Sequence, residues 1–151
     1  MIEVKNMTSN EVEALLGRIN YGHLGCSSNN HPYVLPIHFA YDRQTIYIYT
    51  TEGKKSEMIE SNSEVCLQVE DVIDNENWSS VIVIGDARRL ENADDREEAY
   101  ASIAASNPSL HPAISYRWLD QWVRENKDIE VVYRLDRKTT SGRRAGETPG
   151  Q

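Results

Sequence analysis

The sequence predicts a mainly β chain: a small antiparallel barrel of about six strands with helices at its margins. Three observations carry this expectation. Between Tyr21 and Arg88 the chain passes through short segments rich in Val, Ile, Thr and Tyr, in mostly hairpin order and divided by turn clusters. Helical periodicity falls mainly on either side of that stretch. The 151 residues, 39% of them hydrophobic, suffice for one domain with one core.

The first element is a helix. Thr8 with Glu11 three residues later makes a capping box, and Val12, Leu15, Leu16 and Ile19 then share one face. It is expected to end between Gly17 and Asn20 and to cover an open face of the following sheet. Tyr21–Ser27 (YGHLGCS) is a short strand interrupted by glycines, and Ser28–Pro32 is a turn cluster. Tyr33–Tyr41 (YVLPIHFAY) is a strand with Pro36 in its middle. A proline donates nothing to a ladder, so this strand is an edge or carries a bulge there. Asp42–Gln44 turns the chain into Thr45–Thr51 (TIYIYTT), the hairpin partner. Ser56–Ser61 suits a short helix with Met58 and Ile59 inward. Val65–Val69 (VCLQV) and Trp78–Arg88 (WSSVIVIGDAR) are strands flanking the acidic loop Asp71–Asn77.

Ala93–Ala105 is a helix with acids in its first turn, where the helix dipole favours them. A loop at 107–112, a helix over Ile114–Val123 with Trp118 and Trp122 on one face, and a strand Ile129–Leu135 (IEVVYRL) follow. The domain is drawn at 1–138. The polar stretch 139–151 lacks apolar periodicity and is expected to be a mobile C-terminal tail.

Charge narrows the partners. Sixteen Lys+Arg against 24 Asp+Glu leave a net −8, which argues against nucleic acid, since phosphate backbones are bound by clustered cations. Mean hydropathy is −0.61, and no apolar run reaches the roughly 18 residues of a membrane span. The opening MIEVKNMTSNEVEALL carries early acids and no apolar signal core. Two cysteines make no disulfide framework, so the expected compartment is the cytoplasm with both thiols reduced.

Few residues announce chemistry. His23, His31, His38 and His111 lack metal-ligand spacing, and no Gly-x-Ser-x-Gly elbow is present. Cys26 and Cys66 each lie inside an apolar strand, where free cysteine acts as a small hydrophobe. The Gly53-Lys54-Lys55 turn stands out. It follows a strand, precedes a helix, and combines glycine, two lysines and the hydroxyls of Thr50 and Thr51. Free N–H groups and a positive dipole at a helix start add to this, so the turn suits a phosphate monoester dianion. A solvated connection of the same composition is the competing reading. Trp78-Ser79-Ser80 would set small polar groups beside a ligand or form a barrel rim.

The order of these pieces adds information. "GHLGCSSNNHPYVLPIHFAYDRQTIYIYTTEGKKSEMIESNSEVCLQV" followed by "NWSSVIVIGDARRLEN" resembles the pyridoxamine 5′-phosphate oxidase-like superfamily of FMN-binding split barrels. The likeness is closest to its smaller, nitroimidazole-resistance-type flavoproteins. It covers Thr8 to about Asn92, with an echo in Ile129–Ala145, where "TSGRRA" looks like that group's ending.

The resemblance implies a six-stranded split barrel and a homodimer with FMN at its interface. It implies that Tyr33, Val34, Leu35, Pro36 and Ile37 run along the isoalloxazine ring. Tyr49, Thr50 and Thr51 would sit beside the ring or ribityl chain, and Gly53, Lys54 and Lys55 at the phosphate. Trp78, Ser79 and Ser80 would meet the flavin from the other side. The implied activity is an oxidoreductase passing electrons from a reduced nicotinamide or similar donor to a small-molecule acceptor. A flavin, haem or deazaflavin binding module without turnover, and a cofactor-free dimerisation domain, are the alternatives. Tyr41, Tyr47, Trp118 and Trp122 are aromatic candidates for the dimer interface. Two departures point away from particular substrates. The chain ends SGRRAGETPGQ rather than in the arginine-and-proline segment of vitamin B6 oxidases, and Tyr49 stands where nitroimidazole-resistance-type relatives often carry histidine.

Overall fold

A computed structural model describes residues 2–106 and 130–146. The expected loop at 107–112, the helix at 114–123 with Trp118 and Trp122, and the chain from 147 onward lie outside the described residues. The elements are β1 (Val4–Asn6), α1 (Ser9–Arg18), β2 (Tyr21–Ser28), β3 (His31–Asp42), β4 (Thr45–Thr51), α2 (Lys54–Ser61), β5 (Glu64–Val72), β6 (Trp78–Arg89), α3 (Ala93–Ser106) and β7 (Glu130–Ala145). The described sheet runs β1-β7-β4-β3-β2-β5-β6, and a further β6–β7 pairing closes it. Six strands thus form the antiparallel split barrel that was expected. The three-residue β1 is an addition, paired with β7 from Val4↔Ala145 to Asn6↔Arg143.

Local chemistry explains the hairpins. Asn29 and Asn30 join β2 to β3 with φ of 52° and 64°, and Arg43 and Gln44 join β3 to β4 with φ of 50° and 72°. Two left-handed residues in succession match the twist of the flanking strands. Asparagine tolerates that region easily. Arg43 and Gln44 are held there by the ladder on either side.

The core fills the barrel. Leu24, Phe39, Ile48, Leu67, Val81, Val83 and Val131 are buried in one cluster, which α1 completes with Val12, Leu15 and Leu16 and α2 with Met58 and Ile59. A second cluster lies outside the sheet, where Ala99 and Ile103 of α3 cover Ala40, Tyr47, Tyr49 and Val132. Tyr47 is therefore occupied within the chain, and Tyr41 packs against the main core with its ring beside Gly17. The capping box of α1 is present in both halves, Thr8 N donating to Glu11 Oε1 at 3.1 Å and Glu11 N to Thr8 Oγ1 at 3.2 Å.

The last strand differs from expectation. Residues 139–145, read as tail, continue β7, which pairs with β6 from Arg89↔Tyr133 to Trp78↔Ala145. The apolar signal is missing there because the inward position nearest α1 is Gly142. A Cβ on Gly142 would stand 2.6 Å from Met7 Sδ and 3.1 Å from Val12 Cγ2. The acidic loop is a structural turn. Asp74 Oδ1 accepts from Glu76 N and Asn77 N at 2.8 and 2.9 Å, and Asp71 pairs with Arg18 at 2.7 Å. Among the described residues, no helix is long and apolar enough to cross a membrane.

The β6–β7 register shifts between Ile84 and Gly85, and a Cβ on Gly85 would collide with the Asp136 carbonyl oxygen and stand 3.0 Å from Arg137 Cα. Backbone cannot give way as a side-chain tip can. Gly85→Ala is expected to cost about 1–3 kcal/mol, read as a lower urea midpoint at unchanged m-value. An unchanged midpoint would contradict this packing.

Candidate functional site

β3 and β4 part company. They pair only from Asp42↔Thr45 to His38↔Tyr49, after which Thr50 and Thr51 pair with Val131 and Glu130 of β7. Residues 31–37 of β3 stay paired with β2 alone, so their other edge is open among the described residues. Phe39 N donates toward β2, to Asn20 O at 3.1 Å. Main-chain groups alternate sides along a strand, so the Pro36 nitrogen faces the open edge. A donor is missing where no strand partner needs one. Tyr33, Leu35 and Ile37 pack toward the barrel core, while Val34 and Pro36 are exposed on the outer face.

The cationic turn lies at this split. Gly53 N donates to Ser56 Oγ at 2.8 Å, and Glu57 N donates to Gly53 O at 3.1 Å. The N–H groups of Lys54, Lys55 and Ser56 open the first turn, where an α-helix supplies no internal acceptor. Lys54 Nζ stands 5.0 Å from the centroid of the Tyr33 ring, which ties the turn to the open edge of β3. Lys55 is half-buried near Cys26. Burial holds its ammonium below the usual lysine value, opposed by the Cys26 sulfur. Among the described residues neither lysine reaches a carboxylate in an ion pair. A half-buried, unpaired cation fits an anion.

The remaining predicted site residues distribute over both faces. Thr50 is half-buried and shares the face of Ile46 and Ile48, whereas Tyr49 points outward, its ring 6.3 Å from that of Tyr100 in an edge-on contact. Thr51 belongs to the site by its backbone, opposite Glu130. Trp78 and Ser80 lie on the outer face of β6, where Ser80 Oγ accepts from Gln68 Nε2 at 3.2 Å. Ser79 points inward and is buried, its hydroxyl unpartnered among the described residues. β2 and β5 separate β6 from β3, so Trp78 and Ser80 stand three strand spacings, roughly 14 Å, from the open-edge strand. One chain therefore does not bring Trp78 and Ser80 to Lys54.

Two residues were missed by sequence reasoning. Arg89, at the end of β6, ion-pairs with Glu52, and with Glu60 at 2.9 Å. Alternation along VIVIGDARR sets Arg89 on the inward face with Val81, Val83 and Ala87, a signal present in the sequence. Glu52 accepts from Ser56 Oγ at 2.9 Å, and this bond, aided by Arg89, holds its carboxyl below the ordinary value.

Other groups are chemically quiet. Burial raises the Cys26 and Cys66 thiols, which suits structural cysteines. Among the described residues, no three of His, Cys, Asp and Glu gather to hold a metal ion.

Tyr133, cross-strand from Arg89, is buried with a hydroxyl that has no partner among the described residues. Burial pushes its phenol up to about 12. The fold prefers the neutral phenol, while an unfolded tyrosine ionises near 10. The contribution is full below pH 10 and is lost as pH rises toward 12, up to about 2–3 kcal/mol. Tyr133→Phe should flatten the fall of urea midpoint between pH 10 and 12 and leave pH 7 stability equal or higher. A steeper fall in the variant would contradict the assignment.

A family profile described as pyridoxamine 5′-phosphate oxidase matches residues 8–144. Among solved structures, the chain is similar to a FAD-binding protein of Mesorhizobium loti at 24% identity and TM-score 0.74, covering 97% of this chain and 100% of that one. It is also similar to a candidate 5-nitroimidazole antibiotic resistance protein of Bacteroides thetaiotaomicron at 21% identity and TM-score 0.72, covering 97% and 93%. A FAD-binding protein of Mycobacterium smegmatis follows at 23% identity and TM-score 0.68, covering 95% and 99%. At these identities the likeness speaks for the fold. An uncharacterised protein of Rhizobium meliloti (strain 1021) is 29% identical over 87 residues, and that match spans 58% of each chain. From the Thr8 capping box to Arg144, which pairs with the same box through Glu11, the chain belongs to the pyridoxamine 5′-phosphate oxidase family.

Proposed function

We propose that this chain is an FMN-binding flavoprotein, an oxidoreductase that works as a homodimer on small molecules. The observation that carries this reading is the pair of lysines at the start of α2. They stand at the split of a closed barrel without a carboxylate partner, in a chain of net charge −8. An acidic chain has acids to spare for neutralising lysines, so leaving these two unpaired beside an open strand edge suits an anionic ligand. The phosphate of FMN is such an anion, and the open backbone of β3 suits a flat polar ring. Relatives described as FAD-binding support a flavin in this fold.

In this reading each group has a task. Lys55, half-buried, and the first N–H groups of α2 hold the phosphate. Lys54, braced over Tyr33, adds charge from the solvent side. The main-chain groups of Val34 and Pro36, which alternation turns to the open edge, face the ring system, while Tyr33, Leu35 and Ile37 anchor the strand to the core. A bound flavin supplies reversible two-electron chemistry, with a reduced nicotinamide or similar compound as donor and a small molecule as acceptor.

A second copy completes the site. Val34, Ile82 and Ile84 are exposed at 66%, 41% and 37% on the outer face of the sheet, beside Pro36. A groove of about 480 Å³ crosses this face past Gly25, Val34, Cys66 and Ile84. Contiguous apolar surface of this kind marks an interface. Trp78 and Ser80 share this face and would reach the flavin from the partner, which one chain does not allow.

Lys55→Ala should weaken FMN about tenfold to a hundredfold and riboflavin far less, because a charge-assisted bond to phosphate is worth ~1.5–3 kcal/mol. Fluorescence titration with both ligands measures this. Equal losses for the two would remove Lys55 from the phosphate. Ile84→Glu should convert a dimer to a monomer in light scattering and lose FMN with it. A monomeric, flavin-binding parent would overturn the two-walled site.

A further inference from the structure

Of the three glutamates nearest the lysine turn in sequence, Glu57 in the first turn of α2 is exposed, while Glu52 and Glu60 are both held by another element. Glu52 immediately precedes Gly53, and Glu60 lies near the far end of α2. Both carboxylates go to one guanidinium. Arg89 Nη2 meets Glu52 Oε1, and Arg89 Nη1 donates to Glu60 Oε1 at 2.9 Å. The other oxygen of Glu52 accepts from Ser56 Oγ at 2.9 Å, and that same hydroxyl oxygen accepts from Gly53 N at 2.8 Å. A chain of polar contacts thus runs from β6 to both ends of α2.

The geometry suits arginine. Its planar fork separates two donors in fixed directions and stays charged at any pH a protein survives. A lysine offers one point charge without the fixed directions of the fork. Removing the fork leaves Glu52 and Glu60 without their partner on the segment that carries two lysines with no carboxylate partner among the described residues, and opposite charges attract. Glu52 has the shorter path, because it is two and three residues from Lys54 and Lys55.

We propose that Arg89 is the positioning residue of the anion seat: by gripping Glu52 and Glu60 it keeps both carboxylates off Lys54 and Lys55, and so makes the site selective for a phosphate monoester dianion. This rests on the flavin-phosphate reading above. Arg89 touches no ligand in this scheme. It acts through the two glutamates, and through Ser56 on the backbone at Gly53.

The test uses Arg89→Met, Arg89→Lys and Arg89→Met/Glu52→Gln in the full chain. Each is titrated with FMN and with riboflavin, and each apoprotein is labelled with acetic anhydride and read by mass spectrometry. Arg89→Met should lower FMN affinity by about tenfold or more and leave riboflavin nearly unchanged, the size expected when charge-assisted bonds are lost to competition. Arg89→Lys should fall between it and the parent. Arg89→Met/Glu52→Gln should recover most of the lost affinity, because the competing carboxylate is gone. In the apoprotein, Arg89→Met should slow acetylation of Lys54 and Lys55 as the freed glutamates pair with them.

Equal losses for FMN and riboflavin, no rescue by Glu52→Gln, or unchanged lysine labelling would each overturn the proposal. A parent that binds neither ligand while the labelling changes as expected would sink the flavin reading and leave the Arg89 grip standing. A circular dichroism melt of each variant separates misfolding from selectivity. Loss of the fold in Arg89→Met that Arg89→Lys and the double variant do not share would assign Arg89 to stability alone.

Discussion

The proposed ligand site depends on the parting of β3 from β4 at His38 and Tyr49. A β-barrel ordinarily satisfies all its backbone within the ring. Here β4 stays paired with β7 while residues 31–37 of β3 pair with β2 alone, so one edge of that stretch is left without a strand partner among the described residues. Open edges invite other chains to add to the sheet, and natural proteins blunt them. Pro36 does so here, with its nitrogen on the open side. The edge stays available to a ligand and is poor as a template for another strand.

The second element of the site follows from the first. Where β4 ends, the chain turns through Gly53 into α2, whose inward face, Met58 and Ile59, plugs the adjacent end of the barrel. The helix start is thereby fixed beside the open edge, and its cations with it. The charge balance of that corner is uneven. Arg89 holds Glu52 and Glu60, and neither Lys54 nor Lys55 reaches a carboxylate in an ion pair among the described residues. Burial lowers the Lys55 ammonium from its usual value, opposed by the Cys26 sulfur. Across the sheet, Val34, Ile82 and Ile84 are exposed, the surface that the proposed second copy would cover.

Much of the fold was legible in the sequence. The capping box at Thr8, the turns at Asn29-Asn30 and Arg43-Gln44, and the short helix after Gly53 follow from local chemistry, which a sequence states directly. The strand beyond Leu135 was not legible, because Gly142 makes room for Met7 and Val12 and so erases the apolar alternation that marks a strand. In the candidate site, Pro36 signalled an edge through its own residue type, and the structure sets Gly53-Lys54-Lys55, the expected anion seat, beside that edge. The faces of Tyr49 and Ser79 needed the register. Alternation puts Ser79 inside with Val81 and carries Tyr49 beneath α3, opposite to its neighbours in each case. The inward face of Arg89 was legible from alternation, but its pairing was not, because Glu52 and Glu60 lie 37 and 29 residues away and only the fold brings them together.

The central claim is that an open strand edge and two unpaired lysines hold a phosphorylated flavin. The most direct measurement is the visible absorption spectrum of the protein after incubation with FMN and removal of free flavin by gel filtration. The account predicts a yellow protein that retains close to one flavin per chain, with bands shifted from those of free FMN. A colourless protein that carries no flavin through the column would contradict it.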